Sequence, residues 1–252
     1  VQSFFLPSGL PLLAALPLRA QKRYVEEKQF WLGVLNQTRF SKHCGSLADL
    51  HLRLHDNFVS TLYQGVARVE LAYHLTDDVR LAAGYTSAYL FADGARTVGQ
   101  PEHRPWQQAQ WSSTFPKARL TQRVRLEERF RQRVGNNEEL ATDYNSNYRA
   151  RYSVALFLPL SKNAFESGGL QLLLQKEVMA NFDQEIICNY FDQNRLFAGL
   201  VYQVSKQVQA QGGYMHLFQQ LPAGNVYHNQ HSIRVFYSHN LNLRPSAAPV
   251  SH

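Results

Sequence analysis

Apolar and polar residues alternate along most of this chain with a period of two. In LADLHLRL (47 to 54), Leu50, Leu52 and Leu54 stand against Asp49, His51 and Arg53. In YQGVARVELAYHL (63 to 75), Ala67, Val69, Leu71, Tyr73 and Leu75 oppose Gln64, Arg68, Glu70 and His74. VRLAAGYTSAYLF (79 to 91) and RARYSVALFLPL (149 to 160) repeat the pattern. A strand sends successive side chains to opposite faces, so each segment reads as a β-strand with one apolar and one polar face. LTQRVRLEERF (120 to 130) is ambiguous alone, because Leu120 with Val124 and Leu126 with Phe130 also fit helical spacing. Its period-two neighbours decide for a strand. Thr121, Arg123, Arg125, Glu127 and Arg129 then share one face; Leu120, Gln122, Val124, Leu126, Glu128 and Phe130 share the other.

Further strands are expected over 29–41, 106–115, 170–182, 194–205, 207–218 and 231–243, about eleven in all. Several run to 11 to 14 residues, whereas globular strands usually span about five or six. Membrane barrel strands need about 9 to 11 residues in the bilayer and can protrude beyond it. Tight turns (Thr76 to Asp78, and around Lys206) alternate with polar stretches read as long loops, one carrying Gly94, Gly99 and Pro101, another spanning 135–147. Short turns on one side and longer loops on the other are a barrel signature. The pattern predicts an all-β fold: a single antiparallel up-and-down transmembrane β-barrel of about 10–12 strands. The barrel is expected over 29–243, after a linker over 21–28 and before a tail over 244–252. A soluble periplasmic β-sandwich or lipocalin-like barrel binding a hydrophobic ligand is the alternative, with the apolar faces turned inward.

The run LPLLAALPL (10 to 18) is too short to span a bilayer as a helix. It matches the core of a signal peptide over 1–20, cut after Ala20, although no Lys or Arg precedes it. Export to the bacterial outer membrane follows as the expectation. A hydrophobic content of 44% suffices for a core and argues against wholesale disorder. The net charge of +7 would allow nucleic acid, but no block of like charges concentrates it, so no nucleic-acid partner is expected. Cys44 and Cys188 build neither a zinc motif nor a disulfide framework, and are read as unrelated thiols.

EHRPWQQ (102 to 108), LTQRVRLEERF, RARYSVALFLPL and FDQNRLFAGLVYQVS with GYMHLF together resemble an uncharacterised bacterial family, domain of unknown function 2490. The most specific pieces are the R-x-R-x-E-x-R-F strand and the D-Q-N-R opening of a late strand. The resemblance covers roughly 29–243 and implies an outer-membrane β-barrel. It supplies no reaction, catalytic residue or ligand.

If the apolar faces meet lipid, the lumen-lining set is Arg53, Arg68, Glu70, Arg123, Arg125, Glu127, Arg129, Arg149, Arg151, Glu177, Arg195 and Arg234, with Asp49 nearby. Guanidinium groups bind carboxylate and phosphate in bidentate fashion, so this excess of arginine could line a narrow pore favouring small anionic solutes. The same residues could instead pair across strands and fill the barrel with a structural salt-bridge network. Besides such solutes, the partner expected is outer-membrane lipid. His228 with His231 and His51 with His55 do not converge on strands, so neither metal nor cofactor is expected. An outer-membrane enzyme acting on lipid would need a group such as Ser238-His239-Asn240, but no nucleophile sits in a Gly-flanked turn. The expectation is no enzyme. Trp31, Trp106, Trp111, Tyr85, Tyr89, Tyr148, Tyr202 and Tyr237 are expected in interfacial girdles.

Overall fold

The computed structural model describes residues 22–93, 97–135, 139–183, 190–221 and 225–244. The signal-peptide expectation, Cys188 and the tail beyond Arg244 lie outside them. Cys44 is exposed.

Among the described residues the chain forms eleven strands that close into one barrel. They are β1 (Arg23–Arg39), β2 (Cys44–His55), β3 (Thr61–His74), β4 (Val79–Leu90), β5 (Gln100–Phe115) and β6 (Ala118–Val134). The second half comprises β7 (Leu140–Pro159), β8 (Leu170–Phe182), β9 (Phe191–Gln203), β10 (Val208–Gln220) and β11 (Val226–Asn242). Chain neighbours pair antiparallel throughout. The closing pair is parallel: β1 runs beside β11 from Arg23↔Val226 to Arg39↔Asn242. An up-and-down barrel with an odd number of strands must close this way, because its first and last strands point in the same direction.

The largest differences from the sequence reading are three strand starts. β1 begins at Arg23 rather than after a linker over 21–28, β5 at Gln100 inside an expected loop, and β7 at Leu140 inside the expected loop 135–147. These strand ends carry few apolar residues, so alternation fades while pairing continues, as in Arg131↔Asn145 and Glu102↔Arg131.

The connections divide by end. One end carries 40–43, 75–78, 116–117, 160–169 and 204–207; the other carries 56–60, 91–99, 135–139, 183–190 and 221–225. Three turns at the first end are tightened by a hydroxyl. Ser41 Oγ accepts from the Cys44 N–H at 2.9 Å, Thr76 Oγ1 from Val79 at 2.9 Å and Ser205 Oγ from Val208 at 3.2 Å. Such local acceptors stabilise a chain reversal. The connection 160–169 is the exception at this end. It folds against the inner wall, burying Ala164, whose carbonyl accepts from Gln171 Nε2 at 2.7 Å. Gly168 supplies the left-handed φ of 80° that the return requires, and its N–H donates to the Gln203 carbonyl at 2.7 Å.

Polarity is inverted relative to a water-soluble barrel. On β3, Leu71 is 74% exposed while neighbouring Glu70 is 3% exposed. On β6, Leu126 is 52% exposed and Glu127 2%. Inside, an apolar cluster of Trp31, Leu173, Phe197, Val201, Met215 and Leu217 fills the side formed by β1 and β8 to β10. Charged side chains fill much of the remainder.

Candidate functional site

The inner face of β6 organises the site. Arg125 stands directly opposite Arg151 of β7, an arrangement that repels unless a carboxylate intervenes. Glu127 intervenes: its Oε1 accepts from Arg151 Nη1 at 2.6 Å and its Oε2 from Arg149 Nε at 2.9 Å. Three further carboxylates act in the same way. Glu177 takes Arg123 at 2.5 Å, Arg151 at 2.8 Å and Arg195 at 3.5 Å. Glu102 takes Arg129 at 2.7 Å, Arg104 at 2.8 Å and Arg131 at 3.1 Å. Asp192 takes Arg149 at 3.0 Å. On the facing strands Asp49 holds Arg68 at 2.8 Å and His51 at 3.0 Å, and Glu70 holds Arg80 at 2.9 Å. Buried ions of both signs are tolerated only when paired and hydrogen-bonded in this way.

Arginine remains in excess. A cavity of about 440 Å³ lies inside the barrel, and Glu127 and Glu177 are the only carboxylate residues among its described lining, against eleven arginines. At the long-loop end it reaches Leu90, Gln100, Arg131, Leu221 and His228. The short-turn end is packed, with Thr38, His74, Gln171 and Gln203 buried there and no part of the cavity wall.

Of the residues expected to line the lumen, Arg53, Arg68, Arg123, Arg125, Glu127, Arg129, Arg149, Arg151, Glu177, Arg195 and Arg234 border this cavity. Glu70 is buried on the inner side but stops short of it, occupied by Arg80 and by Gln108 Nε2 at 3.1 Å. Sequence reasoning missed Glu102, Arg104 and Arg131, which adjoin or lie in segments where alternation is weak, and Asp192, which precedes the recognised part of β9. The D-Q-N-R opening carried the signal for Asp192.

Two girdle expectations are corrected. Trp31 and Trp106 point inward, each 4% exposed, with their indole N–H groups donating to Gln29 Oε1 at 2.7 Å and Thr86 Oγ1 at 2.9 Å. Arg53 and Arg125 stack on them. Both indole N–H groups find polar partners inside, and both ring faces take a guanidinium there. Tyr85, Tyr89, Tyr148, Tyr202 and Tyr237 are outward and exposed. Among the histidines, His228 contacts Glu27 at 2.9 Å, His231 contacts Glu26 at 3.3 Å and His55 contacts Asp56 at 3.4 Å. No cluster among the described residues has the arrangement of a metal site.

Comparison with known proteins adds a family. No curated protein matches the chain. A solved structure described as "NanC porin structure in rhombohedral crystal form" is similar at 11% identity and a TM-score of 0.43, covering 73% of this chain and 87% of that one. The family described as "Protein of unknown function (DUF2490)" matches residues 28–228, most of the barrel, and the chain belongs to that family.

Proposed function

We propose that this protein is an outer-membrane β-barrel whose lumen is a narrow chamber favouring small anionic solutes. The observation that carries the reading is the excess of arginine around the 440 Å³ cavity, inside a barrel that turns its apolar side chains outward. Lipid is the natural solvent for an outer face bearing Leu50, Leu71, Leu126, Leu196 and Leu200. A soluble barrel holding a hydrophobic ligand needs the opposite arrangement, with leucines around the cavity and charges outside. Carboxylate and phosphate compounds suit a wall rich in guanidinium groups, whose planar forks bind them in bidentate fashion.

Two measurements test this. Unboiled protein from the outer-membrane fraction should run faster on a gel than boiled protein, as a closed barrel does. In planar bilayers under a salt gradient, the reversal potential should have the sign of anion preference. Protein confined to the soluble fraction without a mobility shift would overturn the membrane assignment. A cation preference would overturn the anion assignment.

A further inference from the structure

Most inner-wall arginines are held by carboxylates, but three are held by aromatic rings and glutamine. The Arg125 guanidinium lies 3.7 Å from the Trp106 ring centroid, Arg234 lies 3.7 Å from Phe197, and Arg53 lies 3.8 Å from Trp31. Their hydrogen-bond acceptors are neutral. Arg53 Nη1 donates to Gln64 Oε1 at 2.6 Å, Arg125 Nη2 to Gln108 Oε1 at 2.7 Å and Arg234 Nη2 to Gln175 Oε1 at 3.3 Å. Arg53 and Arg234 have no carboxylate at ion-pair distance among the described residues. Arg125 approaches Glu127 only to 3.7 Å, and that carboxylate is already taken by Arg149 and Arg151.

Glycine makes two of these stacks possible. A Cβ at Gly84 would stand 2.3 Å from Trp106 Cζ2, and one at Gly199 or Gly213 would stand 2.5 or 2.8 Å from Phe197 Cζ. With hydrogen at these positions the rings lie flat against the wall and present a face to the guanidinium. An aromatic face and an amide oxygen fix an arginine in place without neutralising it. Arg53 Nε, Arg234 Nε, Arg125 Nη1 and the cavity-lining Gln211 Nε2 all lack an acceptor. Arg53, Arg125 and Arg234 thus border the cavity with N–H groups that no acceptor satisfies.

We propose that Arg53, Arg125 and Arg234 are the ligand-selecting groups of the chamber, and that they bind a small organic anion bearing a carboxylate or a phosphate. The assignment rests on the cationic-chamber reading above and divides its arginines by role. Arg149 and Arg151, locked on Glu127, hold the wall together; the three stacked arginines meet the solute. A cavity of about 440 Å³ is in the size range of small-metabolite sites.

Calorimetry on the purified barrel in detergent, with gluconate, glucose 6-phosphate and glucose as probes, tests the assignment. At least one charged probe should bind and glucose should not; gluconate alone would identify a carboxylate site, and glucose 6-phosphate alone a phosphate site. Arg53→Gln and Arg234→Gln should each weaken binding about tenfold or more. Arg133→Gln, which removes an exposed pair with Asp143 outside the cavity, should leave binding unchanged. Each variant must retain the unboiled mobility shift; where Gln abolishes it, Lys, which keeps the charge but loses the fork, takes its place and should also weaken binding. Equal binding by wild type and variants, binding of glucose as tight as that of the charged probes, or no binding at all would overturn the proposal. If neither charged probe binds while anion preference in bilayers persists, the site falls and the chamber reading stands. Loss of both would remove the two together.

Discussion

Glu127 is the residue whose loss should be felt most. Its two oxygens hold Arg149 and Arg151, and none of the three is more than 9% exposed. Glu127→Gln leaves two buried guanidinium groups short of their counter-charge. Breaking a buried pair costs about 3 to 5 kcal/mol when the ion left behind has no other partner; Arg149 keeps Asp192 and Arg151 keeps Glu177, which places the cost at or below the lower end of that range. The temperature at which the compact unboiled band converts to the extended form should fall clearly. An unchanged temperature would mean that solvent or neighbouring acids replace Glu127 without loss. Gly84 makes a different demand: a methyl group there meets both Trp106 Cζ2 at 2.3 Å and the Val69 carbonyl at 2.5 Å. Gly84→Ala should cost about 1 to 3 kcal/mol by overpacking, read from the same thermal conversion. Arg133→Gln, at a pair in which both side chains are 55% exposed, should stay within about 1 kcal/mol of the parent.

At the scale of the strand, β6 separates a lipid-facing barrel from a soluble one. Leu126 sits midway along it and points outward, and Gln122 and Glu128 flank it on the same face. Gln122 is not left bare: its Oε1 accepts from the Tyr152 hydroxyl of β7 at 2.5 Å, which reduces the burden of an amide on the outer face. In a bilayer, Leu126→Lys replaces an outward apolar side chain by a charge at a cost of up to about 2 to 4 kcal/mol, whereas Glu128→Lys exchanges one charge for another on the same face and costs less. In water neither change matters much, because Leu126 has little packed over it. Folding yield into lipid vesicles, compared with folding in detergent, reads the difference. Equal tolerance of both substitutions in vesicles would count against a membrane-facing β6.

At the scale of the whole barrel, the two ends do different work. The cavity reaches the long-loop end, while the connection 160–169 folds against the inner wall at the other and buries Ala164 beside Gln171. Replacing 162–168 with a two-residue turn should raise single-channel conductance in planar bilayers while leaving the preference for anions intact. Unchanged conductance would place the constriction in the apolar cluster around Phe197 and Met215 rather than in this connection.

The inner and outer sides of most strands were legible in the residues themselves. Period-two alternation assigns Arg123, Arg125, Glu127 and Arg129 to one face whatever the neighbouring strand, because a strand has only two faces. Strand number and the arginine-rich inner face follow from the same local rule. Alternation fails where both faces are apolar, as in QFWLGV around Trp31, or both polar, as at the start of β7, and there the expected girdle and loop gave way to an inward indole and a continued strand. Which arginine meets which carboxylate was not legible at all. Glu177 joins Arg123 of β6, Arg151 of β7 and Arg195 of β9 because of the stagger between strands, a property of how the whole sheet closes. The parallel seam between β1 and β11 and the division of arginines into wall and cavity groups arise in the same way. Side-chain parity is local and can be read along one strand; charge pairing depends on strands distant in sequence and exists only once the barrel is closed.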